Sequence, residues 1–320
     1  MSKSTRQNLM LLAVLAAMFI FFTFQNARFA SLYNLTNMFR QSLPNLILGC
    51  AAMFVIVSGG IDLSVGGTMA LSALFYGYLC LWGVNAWLAI PIVGVLGAFV
   101  GAANTFIMEK LKIPGIMATL ATWIITSGMA FMVCRAIPLN DPLLKPVVIL
   151  NSMKFFGNRI PLAIPIVAAV SAIFLFLERR TVLGKYAIAI GGNELAAYYS
   201  GISVVKIRMI FFVLSGIMAA LSGIWQVARL GSADPTIGTG MEFNVLAACI
   251  LGGVNIKGGE GTITGMLLGT LILMVLLNGM QMMGVDSFFQ SVATGVVLYI
   301  AVLLNTLMSR FRMKVKTVGA

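Results

Sequence analysis

LGKYAIAIGGNELAAYYSGI (183–202) is the longest water-suited stretch in a chain that is otherwise mostly apolar helix. Basic residues surround it, with Arg179, Arg180 and Lys185 near its start and Lys206 and Arg208 beyond its end. Gly191-Gly192 is expected to break the chain. Asn193 then supplies an N-cap side chain, and Glu194 places a carboxylate in the first, positive turn of a helix. Gly201 stands where a C′ glycine ends one. The helix so bounded, 194–200, is about two turns and ~10 Å long. A helix that short is marginal alone in water, so something must hold it. Ala196 and Ala197 permit close approach of another backbone, and Tyr198 and Tyr199 offer anchoring rings. Composition by itself favours an ordinary loop helix lying on the protein's own surface.

Working outward, the 320 residues are 60% hydrophobic and 9% charged, with a mean hydropathy of +1.01. A soluble domain of this length cannot bury that much apolar surface, so the chain reads as an all-α, polytopic membrane protein. Ten spans are predicted, near 9–24, 41–59, 67–82, 87–108, 114–134, 161–177, 207–228, 243–254, 262–283 and 287–308. Lys3 and Arg6 before the first apolar run resemble a signal peptide, but the next span follows so closely that an uncleaved helix is expected. An even count puts both termini on one side. Lys and Arg in the loops of that side outnumber those of the other 14 to 7, which makes the termini cytoplasmic. The same asymmetry accounts for the net charge of +12, and no basic patch with interleaved aromatics points to nucleic acid. The expected organisation is one transmembrane domain, 1–320, with a cytoplasmic loop at 178–208.

Two glycine-rich interruptions fall within the membrane part. SGGIDLSVGG (58–67) and GGVNIKGGEG (252–261) align at their double glycines and each leads into a new helix. Paired interruptions of this kind mark the broken helices that line many transport paths. Gly59, Gly60, Asp62, Ser64, Asn104, Gly252 and Gly253 are therefore candidates for a gate or translocation path. Asp62 is the most isolated charge in the sequence. It reads as a cap of the third span, with Ser64, or as part of the path, since a carboxylate at that depth is costly to bury. Lys257 and Glu260 read as a solvated turn.

Catalytic chemistry is not visible. There is no histidine, no Gly-x-x-x-x-Gly-Lys-[Ser/Thr] loop, and no second carboxylate inside a span to partner Asp62. Leu221-Ser222-Gly223 is explained by small-residue helix packing. Cys50, Cys80, Cys134 and Cys249 all lie in or beside apolar runs, without the spacing of a disulfide framework or a metal site. No catalytic residue, metal or cofactor is expected in this chain.

Several of these stretches together carry a resemblance. Gly191-Gly192-Asn193-Glu194, Ala196-Ala197 and Ser200-Gly201-Ile202 are similar to the cytoplasmic coupling segment of ribose-type sugar permeases, the membrane subunits of bacterial ATP-binding-cassette importers. SGGIDLSVG (58–66) resembles a hallmark of the same family. So do Val227-Ala228-Arg229-Leu230 with Pro235 and Gly238-Thr239-Gly240, and Leu251-Gly252-Gly253 with Gly258-Gly259. The likeness runs over about 37–305. Thr105 after Asn104 and Pro114-Gly115-Ile116 depart from the family's usual glycine and Pro-Pro-Phe, which bears on the particular sugar.

The resemblance implies a bacterial inner-membrane permease for a monosaccharide. It implies a second permease subunit, identical or paralogous, and two nucleotide-binding domains carrying ATP and magnesium. A periplasmic or lipid-anchored sugar-binding protein completes the assembly. Under it, Gly191 to Glu194, Ala196, Ala197, Ser200 and Gly201 couple to the ATPase, with Ala196 or Ala197 facing its groove. Arg135, Lys145, Lys154 and Arg159, on the outer segment, form either a basic platform for the binding protein or simple solvation. A permease for nucleosides or another small solute is the nearest alternative, and an ion-driven transporter or channel the more distant one. Polar residues of the spans (Asn45, Asn104, Thr119, Thr122, Gln226, Asn244, Asn278) read as sparse and scattered, so weak sugar binding is expected of the permease by itself.

Overall fold

The structure is a computed structural model that describes residues 3–140, 142–155 and 160–318, with side chains left aside at 3, 4, 145 and 304–318. Thirteen α-helices are seen among these residues. In chain order they are α1 (Lys3–Gln25), α2 (Leu32–Val57), α3 (Val65–Leu81), α4 (Ala86–Leu111), α5 (Gly115–Cys134) and α6 (Lys145–Ser152). There follow α7 (Ala163–Arg180), α8 (Val182–Gly192), α9 (Glu194–Tyr199), α10 (Val204–Leu230), α11 (Met241–Leu251), α12 (Ile263–Met282) and α13 (Ser287–Val318). The described strands are the two-residue β1 (Lys154–Phe155) and β2 (Ile160–Pro161), paired antiparallel.

All ten predicted spans are helical, as α1–α5, α7 and α10–α13. Six of these are long and apolar enough to cross a membrane on length and composition. The protein is an all-α polytopic membrane protein. Two boundaries differ instructively. The second helix starts at Leu32 rather than near 41, because Ser31 caps it by accepting from the Asn34 amide at 3.3 Å, and polar residues carry it past the apolar core. Pro44 inside it is tolerated as prolines in membrane helices are. By contrast α11 has only 11 residues, about 16 Å against a ~30 Å hydrocarbon core. It starts below the outer surface because the segment before it runs inward along α3: Ala233 pairs with Leu139 beside Gly77, and Gly238 lies against Gly66.

Close packing rests on small residues. A Cβ at Gly97 would meet the carbonyl of Gly216, and one at Gly101 the carbonyl of Phe212, so α4 and α10 touch backbone to backbone. Ser222 is buried and Gly223 sits against the Met69 carbonyl of α3, as small-residue packing requires. All four cysteines are free and buried.

The two glycine-rich interruptions open on the same kind of turn. Both α2 and α11 end in a Schellman motif with a left-handed glycine, Gly59 at φ +83° and Gly253 at φ +86°. In the first, Gly59 donates to Ile56 and Gly60 to Val55; in the second, Gly253 donates to Ile250 and Val254 to Cys249. The same turn closes α3 at Gly83 and α12 at Gly284, so it does not by itself mark a repeat.

Candidate functional site

The 183–202 stretch is more ordered than its sequence suggests. Residues 182–192 form α8, capped by Thr181, which accepts from the Leu183 amide at 3.2 Å. Gly184, Ala187 and Ile190 make its buried stripe at i, i+3, i+6. The chain therefore breaks at Asn193 and not at Gly191-Gly192. Asn193, extended at φ −160°, closes α8 and caps α9, its side chain accepting from the Ala196 amide at 3.0 Å. Ser200 and then Gly201, at φ +85°, end α9.

The hold that so short a helix needs comes from a cation the sequence did not single out for it. Arg208, in the first turns of α10, donates to both carboxylate oxygens of Glu194, at 3.1 Å from Nη1 and more closely from Nη2, and to Glu109 of α4 at 3.2 Å. One guanidinium thus ties α9 to α4 and α10. Ala197 is turned inward, 4% exposed, and packs on its own chain. Of the two alanines expected to face a partner's groove, Ala197 is thus turned away and Ala196 is outward: the outward face consists of Leu195, Ala196, Tyr198 and Tyr199, with Tyr199 81% exposed.

Beneath α9 the two interruptions meet. A Cβ on Gly191 would run into the Val57 carbonyl and lie 2.5 Å from the Gly259 amide, while one on Gly258 would lie 3.0 Å from the Cα atoms of both Gly191 and Gly59. The Gly259 amide donates to Val57 at 2.8 Å, joining the second interruption to the end of α2. Three backbones cross at contact distance, and only glycine leaves the room. Gly192, one residue on, has nothing within 4 Å of where its Cβ would stand. Glu178 of α7 accepts from the Ile263 amide at 3.3 Å, fastening the start of α12 to the same place. Lys257 and Glu260 are exposed on the tip of the second interruption, where the Asn255 side chain accepts from the Lys257 amide at 3.0 Å.

Asp62 lies deeper, beyond the first Schellman turn. One of its oxygens accepts from the Ser64 amide at 3.0 Å and the Ser64 hydroxyl at 2.6 Å; the other accepts from the Ser215 hydroxyl of α10 at 2.7 Å. Asn104 of α4 donates to Ser64 at 2.8 Å. Neither Asp62 nor Ser64 caps the first-turn amides of α3, which has no side-chain cap. The carboxylate instead binds the interruption to α10, and through Ser64 to α4. Glu242, at the start of α11, is buried against Gly66, and one of its oxygens has no partner. It sits one residue before the predicted span.

Seven polar span residues were expected to be scattered, and the structure corrects this for four. Asn45, Gln226, Asn244 and Asn278 line one cavity of about 190 Å³ in the outer half of the bundle, together with Arg229 and Gln290. Asn278 and Asn34 exchange two hydrogen bonds, 2.8 and 3.2 Å, that fix one wall, and Arg229 donates to Gln226 at 3.2 Å. Their placement on four different helices, α2, α10, α11 and α12, hid the convergence.

Comparison with known proteins decides the family. A model described as the branched-chain amino acid transport system / permease component matches residues 34–307. The chain belongs to this permease family. The ribose import permease protein of Escherichia coli (strain K12) is 37% identical over 281 residues, covering 87% of this chain and 87% of that one. A probable ABC transporter permease protein of the same organism is 34% identical over 309 residues, 96% and 91% of the two chains. Its D-allose transport system permease protein is 34% identical over 304 residues, 94% and 91%. No solved structure matches. In this permease the outer segment is not a plain loop: α6 packs on α10, and Leu144 and Val147 are buried. Arg135 and Lys154 are exposed on it. Arg159 lies outside the described residues, as does the side chain of Lys145.

Proposed function

We propose that this permease is the membrane-spanning subunit of an ATP-driven importer and passes a monosaccharide handed over by an extracytoplasmic binding protein. Its partners are a second permease subunit, two ATPase subunits that hold ATP and magnesium, and that binding protein. The observation that carries the proposal is the outward face of α9: among the described residues, Leu195, Tyr198 and Tyr199 stand largely exposed on a capped, clamped helix at the cytoplasmic end. An apolar and aromatic face presented so rigidly suits a groove on another protein. Force applied there has two routes inward. One runs through Arg208 into α4 and α10, the other through Gly191 into both glycine interruptions, and so towards Asp62. The substrate class is supported by relatives whose names specify ribose and D-allose, against a family description that names branched-chain amino acids.

Uptake by vesicles that contain the permease with its ATPase and binding protein tests this. ATP-dependent entry of labelled ribose or allose is expected. Entry of labelled leucine without either sugar would overturn the substrate class, and uptake that ignores ATP would overturn the machine.

A further inference from the structure

The second interruption, 252–261, is soft by composition, with glycine at 252, 253, 258, 259 and 261. Gly253, Gly258 and Gly259 take the left-handed conformation. Such a segment yields when pushed unless other groups fix it. Its tip is fixed on the side of α9 by backbone contact with Gly191 and by the bond from the Gly259 amide to Val57. A second hold comes from the first turns of α1. The Gln7 carboxamide fills the space where a side chain on Gly253 would stand. Asn8 Nδ2 donates to Thr264 Oγ1 at 3.3 Å, in the first turn of α12. Both side chains are half-buried there, at the start of a helix that otherwise exposes much of its apolar length.

From that end α1 follows α12 to the other. The buried Phe22 ring is set against Gly279, and Asn26 Nδ2 donates to the Met282 carbonyl at 3.2 Å. Contact at both ends joins α1 and α12 into one body that seizes the interruption at its root. The stretch matched by the family model, 34–307, begins after α1, so family membership assigns this helix no such part. Displacement passes through a chain of packed groups only where each link is held.

We propose that the first turns of α1 brace the second interruption against α12, with Gln7 and Asn8 as positioning residues for the movement that α9 sends into the membrane helices. The proposal rests on the ATP-driven reading above. It requires α1 to stay on α12 throughout transport, where a lid would part from it.

The test uses the complete importer in vesicles, with labelled ribose or leucine as tracer, whichever the parent carries. Gln7→Ala is expected to cut tracer moved per ATP consumed at least threefold at normal membrane abundance and ATPase retention. Gln7→Met, which fills the same space without an amide, is expected to keep at least half. Asn8→Cys with Thr264→Cys, joined by a short bifunctional maleimide, is expected to cross-link in high yield and to keep at least half of the transport. The native cysteines are buried and add little background. Unchanged coupling in Gln7→Ala, equal losses in the alanine and methionine variants, no cross-link, or a cross-link that stops transport would each overturn the brace. Should Gln7→Ala fail to accumulate, the cross-linking arm decides. Uptake that ignores ATP in the parent faults the importer reading alone. Hydrogen exchange at 252–264 in the purified permease then still tests the brace: it should quicken several-fold in Gln7→Ala, and unchanged exchange would overturn it.

Discussion

Arg208 carries more of the coupling segment than any residue within that segment. Its neighbours are two carboxylates from different helices, Glu194 and Glu109, and its own side chain is largely buried. Arg208→Gln should loosen α9 by about 1–2 kcal/mol. That is less than the 3–5 kcal/mol of a fully buried pair, because Glu194 is half exposed. Hydrogen exchange of residues 193–201 should quicken while the spans stay protected; unchanged exchange would remove the clamp from the account. Asp62 makes a second residue-level test. Asp62→Asn preserves one oxygen for Ser64 and offers an N–H to the Ser215 hydroxyl, so folding should suffer by about 1 kcal/mol. Normal uptake by that variant would show that the geometry of the network matters and the charge does not. The caps of α9 were legible at this scale, since Asn193 and Gly201 act within three or four residues of themselves. Arg208 was not, because its partners lie 14 and 99 residues away.

At the scale of elements, α8, α9 and the two interruptions form one junction whose spacing only glycine permits. The sharpest consequence concerns neighbours in sequence. Gly191→Ala drives a methyl into the Val57 carbonyl, a clash with backbone that no rotamer relieves, and should cost about 3 kcal/mol or more. Gly192→Ala meets nothing and should be neutral or slightly stabilising. Thermal unfolding of the purified permease separates them; equal effects would mean that the three backbones do not cross as described. The sequence pointed to both glycines alike. It offered no way to tell which was pinned, because that depends on Val57 and Gly259 arriving from elsewhere. The α8 helix itself was overlooked for a related reason: its buried stripe is Gly184, Ala187 and Ile190, too small to read as an apolar face.

For the whole molecule, hydropathy was sufficient to find the ten apolar helices, because it follows the solvent each segment meets, while the side of the termini rests on the positive-inside bias. What they could not give is which polar side chains converge, and hence the outer cavity and the buried Glu242. Topology is open to direct measurement. Lys154→Cys should react with an impermeant thiol reagent added outside intact cells, and Tyr199→Cys only after permeabilisation. The four native cysteines are buried and should contribute little background. The reverse pattern would invert the molecule.

The central claim is that an ATPase subunit grips the outward face of α9. A photo-cross-linking amino acid placed at Tyr199, in membranes that hold the assembled importer, tests it most directly. Irradiation should join this chain to an ATPase subunit in high yield, and placement at the inward-facing Ala197 should not. Absence of any ATPase adduct from positions 195, 196 and 199, in complexes that still transport, would contradict the account.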